Sequence, residues 1–226
     1  MSYTAEQIAK MMDLAVLKPA RTTADIRAAA ELCAERGIGC LCVHQSDVRI
    51  AVEALKKAKA KHTCVASVIG FPHGATSTSV KMMEAMEALQ EGAQEIDMVM
   101  NIGHFLSRAY QEVKDEFGGI ASAAHLMGKQ VKVILETCLL TPAQIRKACE
   151  LCVESGVDFV KTSTGFNGQG ATPEAVRVML DAVKGTLVKV KASGGIRDWA
   201  TAVAYAEMGV ARLGVSAAKE ILDQAE

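Results

Sequence analysis

Eight short apolar runs rich in β-branched residues alternate with longer stretches of helical period, repeating at roughly 24 to 36 residues. The glycines Gly37, Gly92, Gly128, Gly156, Gly185 and Gly209 each close a helical stretch and lead into a strand-like run, the place of a residue just past a helix C-terminus. Strands are expected over 11–17, 38–44, 62–69, 95–101, 131–137, 157–163, 187–193 and 211–216. Helices are expected over 23–36, 46–60, 77–91, 105–127, 141–155, 172–184, 198–208 and 217–224. Thr141-Pro142 and Thr172-Pro173 each set a capping hydroxyl before a proline at the first helical position. Eight such units within 226 residues predict an α/β fold, a closed (β/α)8 TIM barrel forming a single domain over 1–226. An open doubly wound sheet usually has fewer strands and a glycine-rich fingerprint after the first, where this chain has Val16-Leu17-Lys18-Pro19.

Composition removes several classes of function. Lys+Arg of 25 against Asp+Glu of 26 leaves a formal charge of −1, too little basic field for non-specific nucleic-acid binding. No apolar run approaches a membrane span, and MSYTAEQIAKMMDL lacks a basic segment followed by an apolar one, so a cytoplasmic protein without a leader is expected. Seven cysteines scattered through apolar segments read as reduced buried thiols. Cys149 and Cys152 fit a C-x-x-C spacing but fall mid-helix, which favours core packing. The five histidines show no metal-ligand spacing, and no metal or cofactor is expected. Met82, Met83 and Met86 read as core filler on a helix facing the sheet.

Chemistry in such a barrel belongs at the C-terminal ends of the strands. Asp97, Lys161 and Lys191 are polar residues embedded in apolar strands, where a charge is costly without a purpose. Each also has a plainer reading: a strand lysine snorkels to the rim or pairs with a carboxylate, and an aspartate caps or forms a salt bridge. Lys189 shares the parity of Lys191 one step deeper and reads as a structural lysine or ion-pair partner. Two lysines on neighbouring strands offer a route to a neutral amine, because burial and a nearby ammonium both lower a lysine pKa. A neutral amine attacks a carbonyl to give an iminium, which stabilises a carbanion on the next carbon. The accompanying proton transfers suit a carboxylate, for which Asp97 is the candidate. Glycine-rich turns after strands six and seven, Thr164 to Gly170 and Ser193 to Arg197, together with Gly214-Val215-Ser216, offer amides and a hydroxyl to a phosphate. No Gly-Lys-Ser/Thr loop is present.

The segments Val68 to Gly74, Glu95 to Gly103, Val131 to Thr137, Asp158 to Gly165 and Val190 to Arg197 span nearly the whole chain. In their residues and order the sequence resembles deoxyribose-phosphate aldolase, a class I, Schiff-base aldolase family. The resemblance implies a (β/α)8 barrel that reversibly cleaves 2-deoxy-D-ribose 5-phosphate to acetaldehyde and D-glyceraldehyde 3-phosphate without a metal. It implies a Schiff base on Lys161, with Asp97 and Lys191 as proton-transfer and pKa-tuning partners. Gly165, Gly194, Gly195, Gly214 and Ser216 fall where the family holds the substrate phosphate.

The first two units depart from the family pattern. Ala15 stands where a threonine hydroxyl is typical, and Cys42-Val43-His44-Gln45 replaces a segment that usually ends in proline. Phe166 and Ala217 lack polar side chains that some members offer to phosphate. Cys42, at the end of strand two, reads as a buried thiol, with a pocket-facing, aldehyde-sensitive one as the alternative. Two further readings stay open from the residues themselves: another lysine-dependent phosphosugar aldolase or transaldolase, and a non-catalytic barrel binding a phosphorylated ligand. The partners expected are small phosphorylated sugars and aldehydes. A homo-oligomer, dimer or tetramer, would use the apolar outer helix faces.

Overall fold

The computed structural model describes residues 3–225. Its parallel strands close into one barrel in chain order: β1 (Met12–Ala15), β2 (Cys40–His44), β3 (Cys64–Ile69), β4 (Glu95–Val99), β5 (Gln130–Ile134), β6 (Phe159–Lys161), β7 (Lys189–Ser193) and β8 (Arg212–Val215), with β8 pairing back to β1. The expected (β/α)8 barrel is the observed fold. All six glycines named from the sequence adopt positive φ at the joins where they were expected. Thr141 accepts from the Gln144 amide while the Gln144 side chain returns to the Thr141 amide, and Thr172 accepts from the Ala175 amide. These caps start α7 (Pro142–Glu154) and α8 (Pro173–Ala182) with proline in the first turn.

Side-chain parity divides the molecule into two compartments. Outward residues such as Leu41, Ile96, Met98, Val133, Val160, Val190 and Leu213 join the helices in one large apolar core. Inside the barrel, Leu17, Cys40, Cys42, Ala66 and Val68 make a small apolar cluster on the side of β1 to β3. The other side of the interior is ionic, and the chemistry lies there.

Four differences from the expected elements have local causes. A helix missing from the sequence reading, α1 (Ala5–Met11), opens on a reciprocal cap between Thr4 and Gln7 and buries Ile8 and Ala9. It closes the N-terminal end of the barrel, where a Cβ on Gly39 would lie 2.2 Å from the Lys10 carbonyl oxygen. The single helix expected over 105–127 is two, α5 (Ile102–Leu106) and α6 (Tyr110–Leu126), because Arg108 turns left-handed at φ 61 between them. The strand expected over 157–163 is cut to β6, and just beyond it the Thr162 hydroxyl bridges the Ser193 amide and carbonyl, each at 3.0 Å. On α4 (Thr78–Gln90), Met83 is 72% exposed and not core, while Lys81 takes a buried position. Cys149 and Cys152 are buried in the core on α7, as their mid-helix position suggested.

Candidate active site

Inward parity on β1, β4, β5, β6, β7 and β8 brings Asp13, Asp97, Glu95, Lys132, Lys161, Lys191 and Arg212 into one ion network. Asp97 is its centre. The Asp97 Oδ2 atom accepts from Lys161 Nζ at 2.8 Å and Lys191 Nζ at 2.7 Å, and its Oδ1 accepts from Lys132 Nζ at 2.7 Å. Lys191 also pairs with Asp13, and Lys132 with Glu95. Arg212 bridges Asp13, at 2.6 Å, and Glu95. The three residues expected to act together, Asp97, Lys161 and Lys191, are therefore in direct contact.

The lysines differ in the company they keep. Lys132 has carboxylate oxygens of Glu95, Asp97 and Asp13 within 3.5 Å, Lys191 contacts Asp13 and Asp97, and Lys161 contacts Asp97 alone. Lys161 is also the least enclosed, at 4% exposed against 1% for Lys191 and 0% for Lys132. Burial disfavours every ammonium, and the local carboxylates decide who keeps the proton. For Lys132 and Lys191 they outweigh burial and hold the pKa above the ordinary lysine value. For Lys161 burial dominates, the neighbouring Lys191 ammonium adds to it, and the net pKa falls below the ordinary value despite Asp97. Burial alone would raise the Asp97 carboxyl, but the three lysines reverse this and hold it well below the usual range.

Counting charge leads to the same residue. Four cations, Lys132, Lys161, Lys191 and Arg212, face three carboxylates, Asp13, Glu95 and Asp97, in a barrel interior where an uncompensated charge is expensive. Loss of one proton balances the set, and the amine with the fewest anionic partners gives it up at least cost.

Lys189 lies outside this network. It is exposed at the N-terminal end of β7, with its ammonium 5.7 Å from the centroid of the Phe159 ring. Phe159 also has Lys132 at 5.8 Å and Arg212 at 6.0 Å, so its π face helps carry the concentrated positive charge. Lys189 is thus a structural lysine held by an aromatic face. Cys42 is a buried thiol of the barrel interior, pushed up to about 11 by burial and by Asp97. Cys40, Cys64 and Glu95 bring ligand atoms within 4.8 Å of one another. Lys132 and Arg212 already hold both Glu95 oxygens, and burial raises the Cys40 thiol, so the group is poorly matched to a metal cation.

The expected phosphate residues sit above this network, and they differ in kind. Gly165 and Gly194, at φ 82 and 84, bring together the loops that follow β6 and β7, and a Cβ on Gly165 would lie 3.8 Å from Gly194 Cα. Gly195 faces open space, where its backbone is free to meet a ligand. Gly214 is packed instead: a Cβ there would lie 2.5 Å from Ser193 Cβ and 3.2 Å from Lys191 Cε, so the absent side chain makes room for the Lys191 stem. Ser216 is exposed just beyond β8. The first turn of α9 (Trp199–Met208) already has an anion, because Asp198 accepts from the Thr201 amide at 2.7 Å.

The sequence reading left Lys132, Asp13, Glu95, Arg212 and Glu136 without roles. A signal for the first four was present in parity: Glu95 precedes Asp97 by two residues, Lys132 is the register partner of Asp97 and Arg212 that of Lys191, and Asp13 pairs with Gly214, two residues beyond Arg212. Glu136 carried no such signal. It follows β5 in a left-handed conformation, and its buried carboxylate accepts from the Thr164 amide at 3.2 Å, the Thr164 hydroxyl and Asn167 Nδ2 at 2.9 Å.

The sequence and the fold also relate this chain to known proteins. The sequence model of the DeoC/LacD family aldolases matches residues 7–223. The chain is 45% identical over 219 residues to the deoxyribose-phosphate aldolase of Thermococcus kodakarensis, covering 97% of each sequence. It is 46% identical over 223 residues to that of Carboxydothermus hydrogenoformans, covering 97% of this chain and 95% of the relative. The solved structure of the tetrameric deoxyribose phosphate aldolase from Aeropyrum pernix superposes with a TM-score of 0.90 at 32% identity, over 97% of this chain and 91% of that one. With the family model spanning nearly the whole length and these relatives aligned end to end, the chain belongs to the DeoC/LacD family of aldolases.

Proposed function

We propose that this aldolase reversibly cleaves 2-deoxy-D-ribose 5-phosphate to acetaldehyde and D-glyceraldehyde 3-phosphate through a Schiff base on Lys161. The observation that carries the assignment is the unequal sharing of carboxylates, which leaves Lys161 alone with a single anionic partner and a lowered pKa. The neutral Lys161 amine adds to the C1 carbonyl of the open-chain sugar, and loss of water from the carbinolamine gives the iminium. The C3 hydroxyl then loses its proton, the C2–C3 bond breaks, and its electron pair moves to C2 as an enamine while D-glyceraldehyde 3-phosphate departs. Protonation at C2 and hydrolysis of the iminium release acetaldehyde and restore Lys161.

Asp97 and Lys191 divide the work around that amine. The Asp97 Oδ2 atom accepts hydrogen bonds from both, which places this carboxylate oxygen to move protons to and from the Lys161 nitrogen while Lys191 stays charged. Lys191, kept charged by Asp13 and Asp97, lowers the Lys161 pKa and supplies a positive field for developing oxyanions. Backbone amides of Gly165, Gly194 and Gly195, with Ser216, bind the 5-phosphate. The Gly214 amide belongs to the same phosphate-binding group, and its missing side chain also admits Lys191. The seven unpaired thiols fit a reducing, cytoplasmic setting. The tetrameric Aeropyrum relative supports a homo-oligomer of this chain. No helix among the described residues is long and apolar enough to cross a membrane.

Coupled detection of D-glyceraldehyde 3-phosphate from 2-deoxyribose 5-phosphate, set beside fructose phosphates, tests the reaction. Turnover of the deoxy sugar at least about a hundredfold more efficient is expected, since a ketone at C2 must place a bulkier carbon at Lys161. Preference for ketose phosphates would indicate a different lysine aldolase, and loss of all borohydride trapping a non-catalytic barrel.

A further inference from the structure

The junction after β5 contains a buried carboxylate that the aldol steps leave unused. Glu136 adopts φ 55, a conformation that non-glycine residues rarely take, and its side chain is nine-tenths or more buried. It pairs with no cation among the described residues. Its oxygens instead collect three donors from one loop: the Thr164 amide, the Thr164 hydroxyl and the Asn167 side-chain amide. Asn167 Nδ2 also donates to the Pro72 carbonyl at 3.2 Å, and the Phe166 ring meets the edge of Phe71 at 5.2 Å between centroids. Segments that follow β3, β5 and β6 are thereby buckled together over the mouth of the barrel. Gly165, between Thr164 and Phe166, faces Gly194, against which Gly170 of the same loop packs more closely still.

We propose that Glu136 is a positioning residue for phosphate recognition: its carboxylate fixes the Thr164–Asn167 turn so that the Gly165 amide points at the 5-phosphate. The inference rests on the phosphate-binding reading of Gly165 and Gly194. The chemistry requires a carboxylate. Three converging donors need an acceptor on both oxygens, and an amide would turn its own NH2 toward one of them. Recognition of the phosphorylated substrate therefore depends on a residue that never touches it.

The test compares kcat and KM for 2-deoxyribose 5-phosphate and for unphosphorylated 2-deoxyribose in the wild type, Glu136→Gln, Glu136→Asp and Asn167→Ala. Glu136→Gln is expected to reduce the preference for the phosphorylated sugar by about tenfold, mainly through KM, as a misdirected charge-assisted hydrogen bond would. Glu136→Asp keeps two acceptor oxygens and suits left-handed backbone, so it restores part of the preference. Asn167→Ala, which removes one donor nearer the rim, moves the preference in the same direction and carries the test if Glu136→Gln fails to fold. Borohydride trapping of acetaldehyde checks that the Lys161 amine is intact in each variant. A wild type indifferent to the phosphate would overturn the phosphate-binding reading, and this inference with it. A wild type that prefers the phosphate, with Glu136→Gln and Asn167→Ala keeping that preference or losing kcat equally on both sugars, would overturn the positioning role alone.

Discussion

Lys161→Met is expected to lose about 10^4-fold or more in kcat while its melting temperature stays level or rises. The loss of activity follows from the missing amine, for which no neighbour can substitute. Lys132 and Lys191 are each held charged by two or more carboxylates, and a charged amine does not attack a carbonyl. The stability result follows from the charge count. Methionine fills a similar volume and, like the neutral Lys161 amine, carries no charge, so Lys132, Lys191 and Arg212 still balance Asp13, Glu95 and Asp97. Steady-state assay and calorimetry on the same sample check both halves. A fall of several degrees in melting temperature would show that Lys161 is charged in the resting protein and that its ion pair is structural.

Asp97→Asn is expected to reduce kcat/KM by about 10^2- to 10^4-fold and to destabilise the fold by about 3–5 kcal/mol. Asp97 accepts from three lysines, so its neutralisation leaves the cations Lys132, Lys191 and Arg212 facing only Asp13 and Glu95. A structural ion pair would produce the stability loss as well. The pH profile of residual adduct formation distinguishes them. Asp97 is the one carboxylate that favours the Lys161 ammonium, so its removal moves the midpoint of borohydride trapping to lower pH. Stability should also change in acid. Asp13, lowered from 3.8 to about 2, and Asp97, also lowered, contribute stability that is complete above pH 4 and lost as pH falls toward 2. Asp97→Asn removes its share of that loss, and the acid limb of its unfolding curve becomes shallower.

The barrel was legible because its punctuation is chemical. Glycines beyond helix ends and threonine–proline starts follow from backbone sterics, which survive burial and tertiary context. What escaped depended on tertiary contact. The α1 cap between Thr4 and Gln7 was written in the sequence, but a helix that closes a barrel end precedes the first strand–helix unit and breaks the repeat. Arg108 splits the helix expected over 105–127 through its backbone angle, which its residue type does not announce. Within the site, single polar residues in apolar strands identified Asp97, Lys161 and Lys191. Lys132 stands between Val131 and Val133 in the same manner, and its burial gives it equal standing in the network. Apart from the family resemblance, residue pattern could not rank the lysines, because the ranking depends on which carboxylates each amine meets across the barrel. Glu136 was invisible for a related reason: its partners lie 28 and 31 residues away, and nothing local marks its left-handed turn.

The central claim is that Lys161, and neither of the more heavily paired lysines, is the amine that meets the aldehyde. The most direct measurement is borohydride trapping of acetaldehyde on the wild type across pH, with peptide mapping of the reduced ethyl adduct. An adduct on Lys161 alone, absent from Lys161→Met, is expected. Burial and Lys191 depress the Lys161 pKa, so its neutral fraction grows with rising pH and reaches its midpoint at lower pH than that of an ordinary lysine. An adduct mapped to Lys132 or Lys191, or one whose formation tracks an unshifted lysine, would contradict it.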